Sequence, residues 1–166
     1  MAKKIPLTKG KFAIVDNEDY ERVSQHKWHF SGRYAVRKVN GVNEMMHRFI
    51  NNTSPDQYTD HRDGNGLNNV RKNLRNCSQS QNIANRGKQS NNQSGYKGVS
   101  LQRHISKRGD EYLYWYAQIQ IKTETKKRKV YGKNFPFTDE GKLQAARWYD
   151  EQARLHFGEF AKVNGV

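Results

Sequence analysis

Residues 60–82 read DHRDGNGLNNVRKNLRNCSQSQN and contain four spaced polar side chains: Asp60, His61, Asn73 and Asn82. Carboxylate and amide oxygens are hard donors, so Asp60 and Asn82 are candidate ligands for a divalent ion. A neutral imidazole can take a proton from water near pH 7, so His61 is a candidate general base. The pattern predicts two short strands and then a helix over residues 60–86, which would bring these side chains to one phosphate.

This segment resembles the HNH nucleases, and in particular the homing endonucleases among them, in which the last motif position is often Asn. The resemblance extends upstream through residues 46–50 (MHRFI) and the run VDNEDY at 15–20, with Trp28 beyond it. It implies that Asp60 and Asn82 hold a Mg²⁺ or Mn²⁺ ion, that His61 activates water, and that Asn73 braces the loop. It also implies hydrolysis of a phosphodiester in double-stranded DNA, with a single strand nicked by a monomer, in a protein of a phage or another mobile element.

Composition favours a nucleic-acid partner. The 166 residues carry a formal charge of +14, with a pI of about 9.9 and a mean hydropathy of −1.12. A basic excess of this size usually indicates a polyanionic partner. Apolar residues make up only 34% of the chain, which favours two small cores over one large core.

Cys77 is the single cysteine, so one chain can form neither a disulfide framework nor a cysteine-based zinc site. The N-terminus MAKKIP lacks the apolar core of a signal peptide, and no later run is long enough to cross a membrane. We therefore expect a protein that is not secreted and acts in the cytoplasm of a bacterium or a phage-infected cell. No membrane and no obligate protein partner is expected.

Charge and composition predict two domains. Residues 1–85 carry a net charge of +6, residues 86–134 carry +9, and residues 135–166 carry −1. The run NRGKQSNNQSG at 85–95 contains no apolar residue and reads as a linker. We expect a nuclease domain over residues 1–86 with its motif core at 46–86, a linker at 87–94, and a second domain at 95–166.

The second domain shows strand and helix patterns. Apolar and polar residues alternate from Tyr114 to Lys122, which predicts a half-buried strand, and 96–101 and 128–135 are further strand candidates. Helical spacing follows over 142–157, with Thr138 as N-cap and Gly158 as the stop. The predicted fold class is α+β, with three antiparallel strands packed by one face on a helix in this domain.

This region resembles the AP2 DNA-binding domain over residues 95–164. The resemblance rests on GYKGV at 95–99, WYAQI at 115–119, YG at 131–132, AARWYD at 145–150 and HFGEFA at 156–161. It implies a ββα-metal nuclease unit followed by an AP2-like sheet whose open face enters the major groove. The candidate DNA contacts are the basic and polar side chains Lys97, Ser100, Gln102, Arg103, Gln118, Gln120, Lys126, Lys127, Arg128 and Lys129.

Two alternatives remain open at the level of sequence. In the first, the chain is a DNA-binding regulator that does not cleave, and in the second it binds or cleaves RNA. The intact set of Asp60, His61, Asn73 and Asn82 argues against the first, and the lack of an RNA-module signature argues against the second. His47 is predicted to pack beneath the site in a structural role.

Overall fold

The computed structural model describes residues 1–122 and 127–166. The chain divides into two compact units, Met1–Asn82 and Ile83–Val166. Helices and small antiparallel sheets occur in both units, which confirms the predicted α+β class. Lys126, one of the predicted DNA contacts, lies outside the described residues.

The first unit is built from short hairpins and helices. Its elements are β1 (Ala2–Pro6), β2 (Phe12–Asp16), α1 (Asn17–Ser24), β3 (His29–Ser31), β4 (Tyr34–Val39), β5 (Val42–Met45), α2 (Met46–Asn51), β6 (Tyr58–His61), β7 (Leu74–Cys77) and α3 (Gln79–Ala84), with 3₁₀ turns at Thr8–Gly10 and Arg71–Asn73. α3 ends two residues beyond the boundary between the units. The strands pair as β1–β2, β3–β4–β5 and β6–β7, all antiparallel.

One apolar core holds this unit together. In β2, Ala13 and Val15 are fully buried while Phe12 is exposed, as expected for a strand with one face on the core. Val23 of α1 and Met46 and Ile50 of α2 close over that face. The core therefore holds β2 and α2 together, and it supports the side chains of the candidate site.

The second unit contains one three-stranded sheet and one long helix. Its elements are β8 (Val99–Ile105), β9 (Glu111–Lys122), β10 (Arg128–Pro136) and α4 (Asp139–Phe157), followed by a 3₁₀ turn at Gly158–Phe160. β9 is the central strand and pairs antiparallel with both neighbours. Ala117 and Ile119 face α4 and are buried, whereas Gln118 and Gln120 are exposed on the other side, so the predicted alternation is present.

The ends of α4 follow from capping chemistry. The side-chain oxygen of Thr138 accepts a hydrogen bond from the backbone N–H of Gly141 at 2.9 Å, and Gly158 ends the helix with a positive φ of 52°. Both agree with the sequence prediction. Asp139 and Glu140 lie in the first turn, where the helix dipole favours negative charge. No helix in residues 1–122 and 127–166 has the length and apolar character needed to cross a membrane.

Two local predictions differ from the structure. The predicted strands end at 101 and begin again at 114, but β8 continues to Ile105 and β9 begins at Glu111, so only a tight turn remains. Cross-strand pairing explains this, because Arg103 donates to Glu111 at 2.7 Å and the Ser106 side chain organises the turn by accepting from Asp110 N. Part of the predicted linker is likewise ordered in the second unit.

In that linker, Ser94 is buried, and its hydroxyl donates to the backbone oxygen of Val99 at 2.8 Å. The amide of Asn92 donates to Tyr96 O at 2.9 Å. A polar segment can be part of a folded unit when its side chains form hydrogen bonds with backbone groups. Composition alone does not predict such hydrogen bonds.

Two glycines in the second unit allow close packing. At Gly132 a Cβ would lie within 1.9 Å of the Tyr116 hydroxyl, so the absence of a side chain lets the tyrosine ring lie across β10. At Gly98 the backbone has a φ of +76°, and a Cβ would lie 2.0 Å from Cδ2 of Tyr149. Gly98 therefore combines a left-handed conformation with contact against a buried ring.

We expect Gly98→Ala to destabilise the protein more than Gly95→Ala does. Gly95 has a similar φ of +84°, but no described atom lies within 4 Å of its Cβ position, so Gly95→Ala reports backbone strain alone. The clash with Tyr149 should lower the free energy of unfolding by about 1–3 kcal/mol beyond the control, as measured by urea denaturation. Equal losses in the two variants would contradict this account of Gly98.

Candidate functional site

Asp60 and His61 lie at the end of β6, and both side chains are buried. β6 pairs with β7 so that Asp60 is opposite Arg75 and His61 is opposite Leu74. Residues directly opposite each other in an antiparallel pair project from the same face, so Arg75 reaches the carboxylate. The sequence motif is thus positioned by a two-stranded ladder.

Arg75 holds the Asp60 carboxylate. Its Nε and Nη2 atoms donate to Oδ2 of Asp60 at 3.0 Å and 2.8 Å, and each of the two side chains is only 7% exposed. A buried carboxylate requires such a partner to remain charged. Arg75 was not among the predicted site residues, because its pairing depends on a strand register that the intervening loop conceals.

His61 is held by three neighbouring side chains. Its Nε2 atom lies 3.2 Å from Oδ1 of the fully buried Asn69. Tyr34 stacks on its ring at a centroid distance of 5.9 Å, and His47 meets the ring edge-on at 4.8 Å. Burial lowers the pKa of His61, so the imidazole is neutral near pH 7. Asn69 carries no distinguishing signal in a sequence this rich in Asn.

His47 is itself buried, at the start of α2. Burial, with smaller contributions from the charges of His61 and Arg48, lowers the pKa of His47 to about 3. The neutral ring packs against Tyr34 and His61 with centroid distances of 5.2 Å and 4.8 Å. His47 therefore forms a wall behind His61, in keeping with the packing role expected from the sequence.

Asn73 closes the loop that follows His61. Its Nδ2 atom donates to Asp63 Oδ1 at 2.9 Å and to the backbone oxygen of Asn68 at 2.7 Å. Its Oδ1 atom accepts from the backbone N–H of Asp63 at 3.1 Å. One buried amide thus joins both ends of the loop. Gly64 turns the chain there with a φ of +76°, and Asp63 accepts from the backbone of Asn65 as a turn former.

Asn82 lies in α3, which begins two residues after β7. Ser78 and Gln81 form a capping box before it, since Ser78 N donates to Gln81 Oε1 at 2.8 Å and Gln81 N donates to Ser78 Oγ at 3.2 Å. The backbone N–H of Asn82 then donates to Ser78 O at 3.0 Å. The Ser-x-x-Gln signal therefore fixes where the helix starts and places Asn82 in its first turn.

A second carboxylate group lies elsewhere in the first unit. Asp16, Glu18 and Asp19 form the one cluster of three acidic, His or Cys side chains close enough to share an ion among the residues that the structure describes. Arg71 donates to both oxygens of Asp19 at 2.8 Å, and Arg22 donates to Oδ1 at 2.9 Å. Arg71 also pairs with Glu18 at 2.8 Å, so the two arginines offset most of the negative charge of the cluster.

The second unit presents an open sheet face opposite α4. Strand register puts five of the predicted DNA contacts on this face: Ser100, Gln102, Gln118, Gln120 and Arg128. The same face also carries Lys122, Tyr112, Tyr114 and Tyr116. Lys127 is exposed and comes just before Arg128. Polar, aromatic and basic side chains are therefore combined on one surface of the sheet.

Three predicted contacts lie away from that face. Arg103 and Lys129 pair in register with Leu113 and Ile121, so they belong to the side that carries α4. Lys97 is turned inward, and its Nζ donates to the backbone oxygen of Ala84 at 2.5 Å. Burial lowers the pKa of Lys97 to about 8. Lys97 therefore does not lie on the open sheet face with the other predicted contacts, and its ammonium group is engaged within the second unit.

An HNH endonuclease of Acanthamoeba polyphaga mimivirus, which its name describes as uncharacterised, is 35% identical to this chain. The similarity runs over 165 residues and covers 95% of the chain and 77% of the relative. No protein-family profile matches the chain, and no solved structure matches it. The similarity confirms the nuclease prediction and leaves the AP2 likeness as a prediction. With this identity over almost its full length, the chain belongs to the HNH endonuclease family.

Proposed function

We propose that this protein is a divalent-metal-dependent homing-type endonuclease that nicks duplex DNA as a monomer, and that its second unit positions it as an AP2-like DNA-binding module. The observation that carries the proposal is the pairing at the end of β6. Asp60 is held by Arg75, and the adjacent His61 is held by Asn69. A carboxylate and a base are thereby fixed side by side within a nuclease family.

The donor set suits a hard divalent ion. A carboxylate offers two oxygens and about four lone pairs, so hydrogen bonds from Arg75 to Oδ2 are compatible with an ion on the same group. Asp60 and Asn82 are the residues that would hold Mg²⁺ or Mn²⁺. When bound, such an ion stabilises the negative charge that develops at the phosphate and at the leaving oxygen.

The protein's own side chains supply the remaining chemistry. Neutral His61 accepts a proton from the attacking water, while Asn69, Tyr34 and His47 hold its ring in place. Arg75 keeps Asp60 ionised and oriented by a buried ion pair. Asn73 holds the loop after His61 in one conformation. Contacts within the first unit support each of these proposed roles.

DNA positioning is assigned to the open face of the second unit. Residues 86–134 carry a net charge of +9, against +6 for residues 1–85. Arg128, Lys122 and Lys127 can contact phosphates, and Gln118 and Gln120 can form hydrogen bonds with base edges in the major groove. Phosphate contacts fix the register, and the glutamines select sequence.

Removing the base tests the chemistry. We expect His61→Ala to lower the cleavage rate by about 10²–10⁴ without changing the affinity for DNA, because general-base catalysis contributes a factor of this size. Nicking of a supercoiled plasmid and a binding titration measure the two quantities. His29→Ala is the matched control, because His29 lies in β3 and is outside the group of rings formed by Tyr34, His47 and His61. Cleavage by His61→Ala at the wild-type rate would show that His61 is not the base. If the wild-type protein binds DNA tightly and never cuts it, the alternative of a non-cleaving DNA-binding regulator would be favoured.

Metal removal tests the ligand assignment. EDTA should abolish cleavage and leave DNA binding intact, and Mg²⁺ or Mn²⁺ should restore cutting because the donors are hard oxygens. Asn82→Ala should raise the Mn²⁺ concentration needed for cleavage and weaken Mn²⁺ binding measured by electron paramagnetic resonance. Glu18→Gln, in the carboxylate cluster that Arg22 and Arg71 contact, is the control and should change neither. Cutting that persists in excess EDTA, or a shift with Glu18→Gln alone, would contradict the assignment.

Salt dependence and site preference test the DNA-binding face. Arg128→Ala should lower the slope of log affinity against log salt by about one, and Gln118→Ala or Gln120→Ala should relax base preference by about 1–3 kcal/mol per lost bidentate contact. Arg147→Ala is the control, because it removes the same charge from the exposed side of α4, across the sheet. Binding to a randomised library across a salt series gives both quantities. An equal effect of Arg147→Ala would place the DNA elsewhere.

A further inference from the structure

Asn69 is a buried polar residue whose side chain makes contact with the proposed base. Its relative exposure is 0%, and its Oδ1 atom lies 3.2 Å from Nε2 of His61. Its Nδ2 atom has no hydrogen-bond partner among the described residues. A buried donor without a partner destabilises the folded state, so an apolar side chain would pack here at lower free energy. The amide is therefore explained better by its contact with His61 than by stability.

The backbone around Asn69 is fixed by the core. Its N–H donates to the oxygen of Ile14 at 2.7 Å, and the N–H of Ile14 donates to the oxygen of Leu67 at 2.8 Å. Ile14 lies in β2 between Ala13 and Val15, both of which are fully buried. The loop that carries Asn69 is thus hydrogen-bonded to a strand whose alternate side chains are fully buried in the core. The amide reaches His61 from a rigid support.

Ring packing and hydrogen bonding do different things to His61. Tyr34 and His47 contact the imidazole with interplanar angles of 29° and 77°, and these contacts set the plane of the ring. Packing does not determine which ring nitrogen carries the proton, because both tautomers have the same shape. A hydrogen-bond acceptor at one nitrogen does determine it. Oδ1 of Asn69 is such an acceptor, since an amide oxygen has lone pairs and no proton.

We propose that Asn69 is a positioning residue that holds His61 in the tautomer protonated at Nε2. In this tautomer Nε2–H donates to Oδ1 of Asn69, and the lone pair is on Nδ1. Nδ1 is then the atom that takes the proton from water, and Nε2 keeps its own proton throughout. The proton leaves water as the new O–P bond forms and the ester P–O bond breaks, so the imidazole becomes imidazolium, and the leaving oxygen takes a proton from solvent. The inference rests on the proposed role of His61 as base.

The tautomer can be measured without any cleavage reaction. Nitrogen chemical shifts of a neutral imidazole distinguish a protonated from an unprotonated ring nitrogen. Spectra of the full-length, metal-free protein at about pH 8, well above the ordinary pKa of histidine, therefore report the state directly. His61→Ala identifies the His61 signals among those of the six histidines. We expect Nε2–H in the wild type and in Asn69→Asp, which keeps the acceptor, and a shift toward Nδ1–H in Asn69→Leu.

Kinetics separate positioning from packing. We expect Asn69→Leu to lower kcat by about 10²-fold, since misorientation of a catalytic group costs about this much, with KM changed less than threefold or so. Asn69→Asp should recover most of kcat. Thermal unfolding of both variants shows whether either of them fails to fold. If Asn69 only packed, its substitution would affect folding and leave the tautomer of His61 unchanged. In that case kcat of Asn69→Leu would be at least as high as kcat of Asn69→Asp.

Several results would overturn the inference. One is a wild-type His61 found as Nδ1–H. Another is Asn69→Leu with an unchanged tautomer and unchanged kcat, and a third is Asn69→Asp as slow as Asn69→Leu despite normal folding. If Asn69→Leu does not fold, the wild-type tautomer and the Asp variant still decide. Failure of the proposed function is distinguishable, because it appears as full cleavage by His61→Ala whatever the tautomer.

Discussion

The ion pair between Asp60 and Arg75 is the contact on which the organisation of the first unit depends. Both side chains are almost completely buried, and they are opposite each other on β6 and β7. Removing one partner from such a pair leaves an uncompensated charge in the interior, which typically destabilises a protein by about 3–5 kcal/mol. A shift in strand register by one residue would have the same consequence, because it would turn Asp60 and Arg75 to opposite faces. The pair therefore selects the register that also puts His61 opposite Leu74, beside Asn69 and Tyr34.

Several parts of the fold are predictable because they depend on local rules. The cap at Thr138, the stop at Gly158 and the alternation along β9 are encoded in short windows, and each is found in the structure. The start of α3 is equally local, since Ser78 and Gln81 form a capping box. The motif identified the nuclease family through spaced positions that act together, although no single one of them is unusual.

The remaining features depend on distant contacts. Arg75 reaches Asp60 across a hairpin, and Asn69 is placed by hydrogen bonds to β2, more than fifty positions earlier in the chain. Lys97 reads as a surface cation, yet its ammonium is bound to Ala84 O. Arg103 reads as a loop residue, yet it lies in β8 opposite Leu113, and its side chain donates to Glu111 across the hairpin. In each case the partner is determined by tertiary structure, and no local pattern in the sequence records it.

The close approach of Gly132 and Tyr116 bears on how the proposed DNA-binding face could be redesigned. The ring of Tyr116 lies over β10 only because Gly132 has no side chain, so these two positions act as one unit of the surface. A side chain introduced at position 132 would require the Tyr116 ring to move. Randomising Gln118, Gln120 and Ser100 while holding the glycine–tyrosine pair constant would leave this packing in place and vary three polar positions of the proposed DNA-binding face.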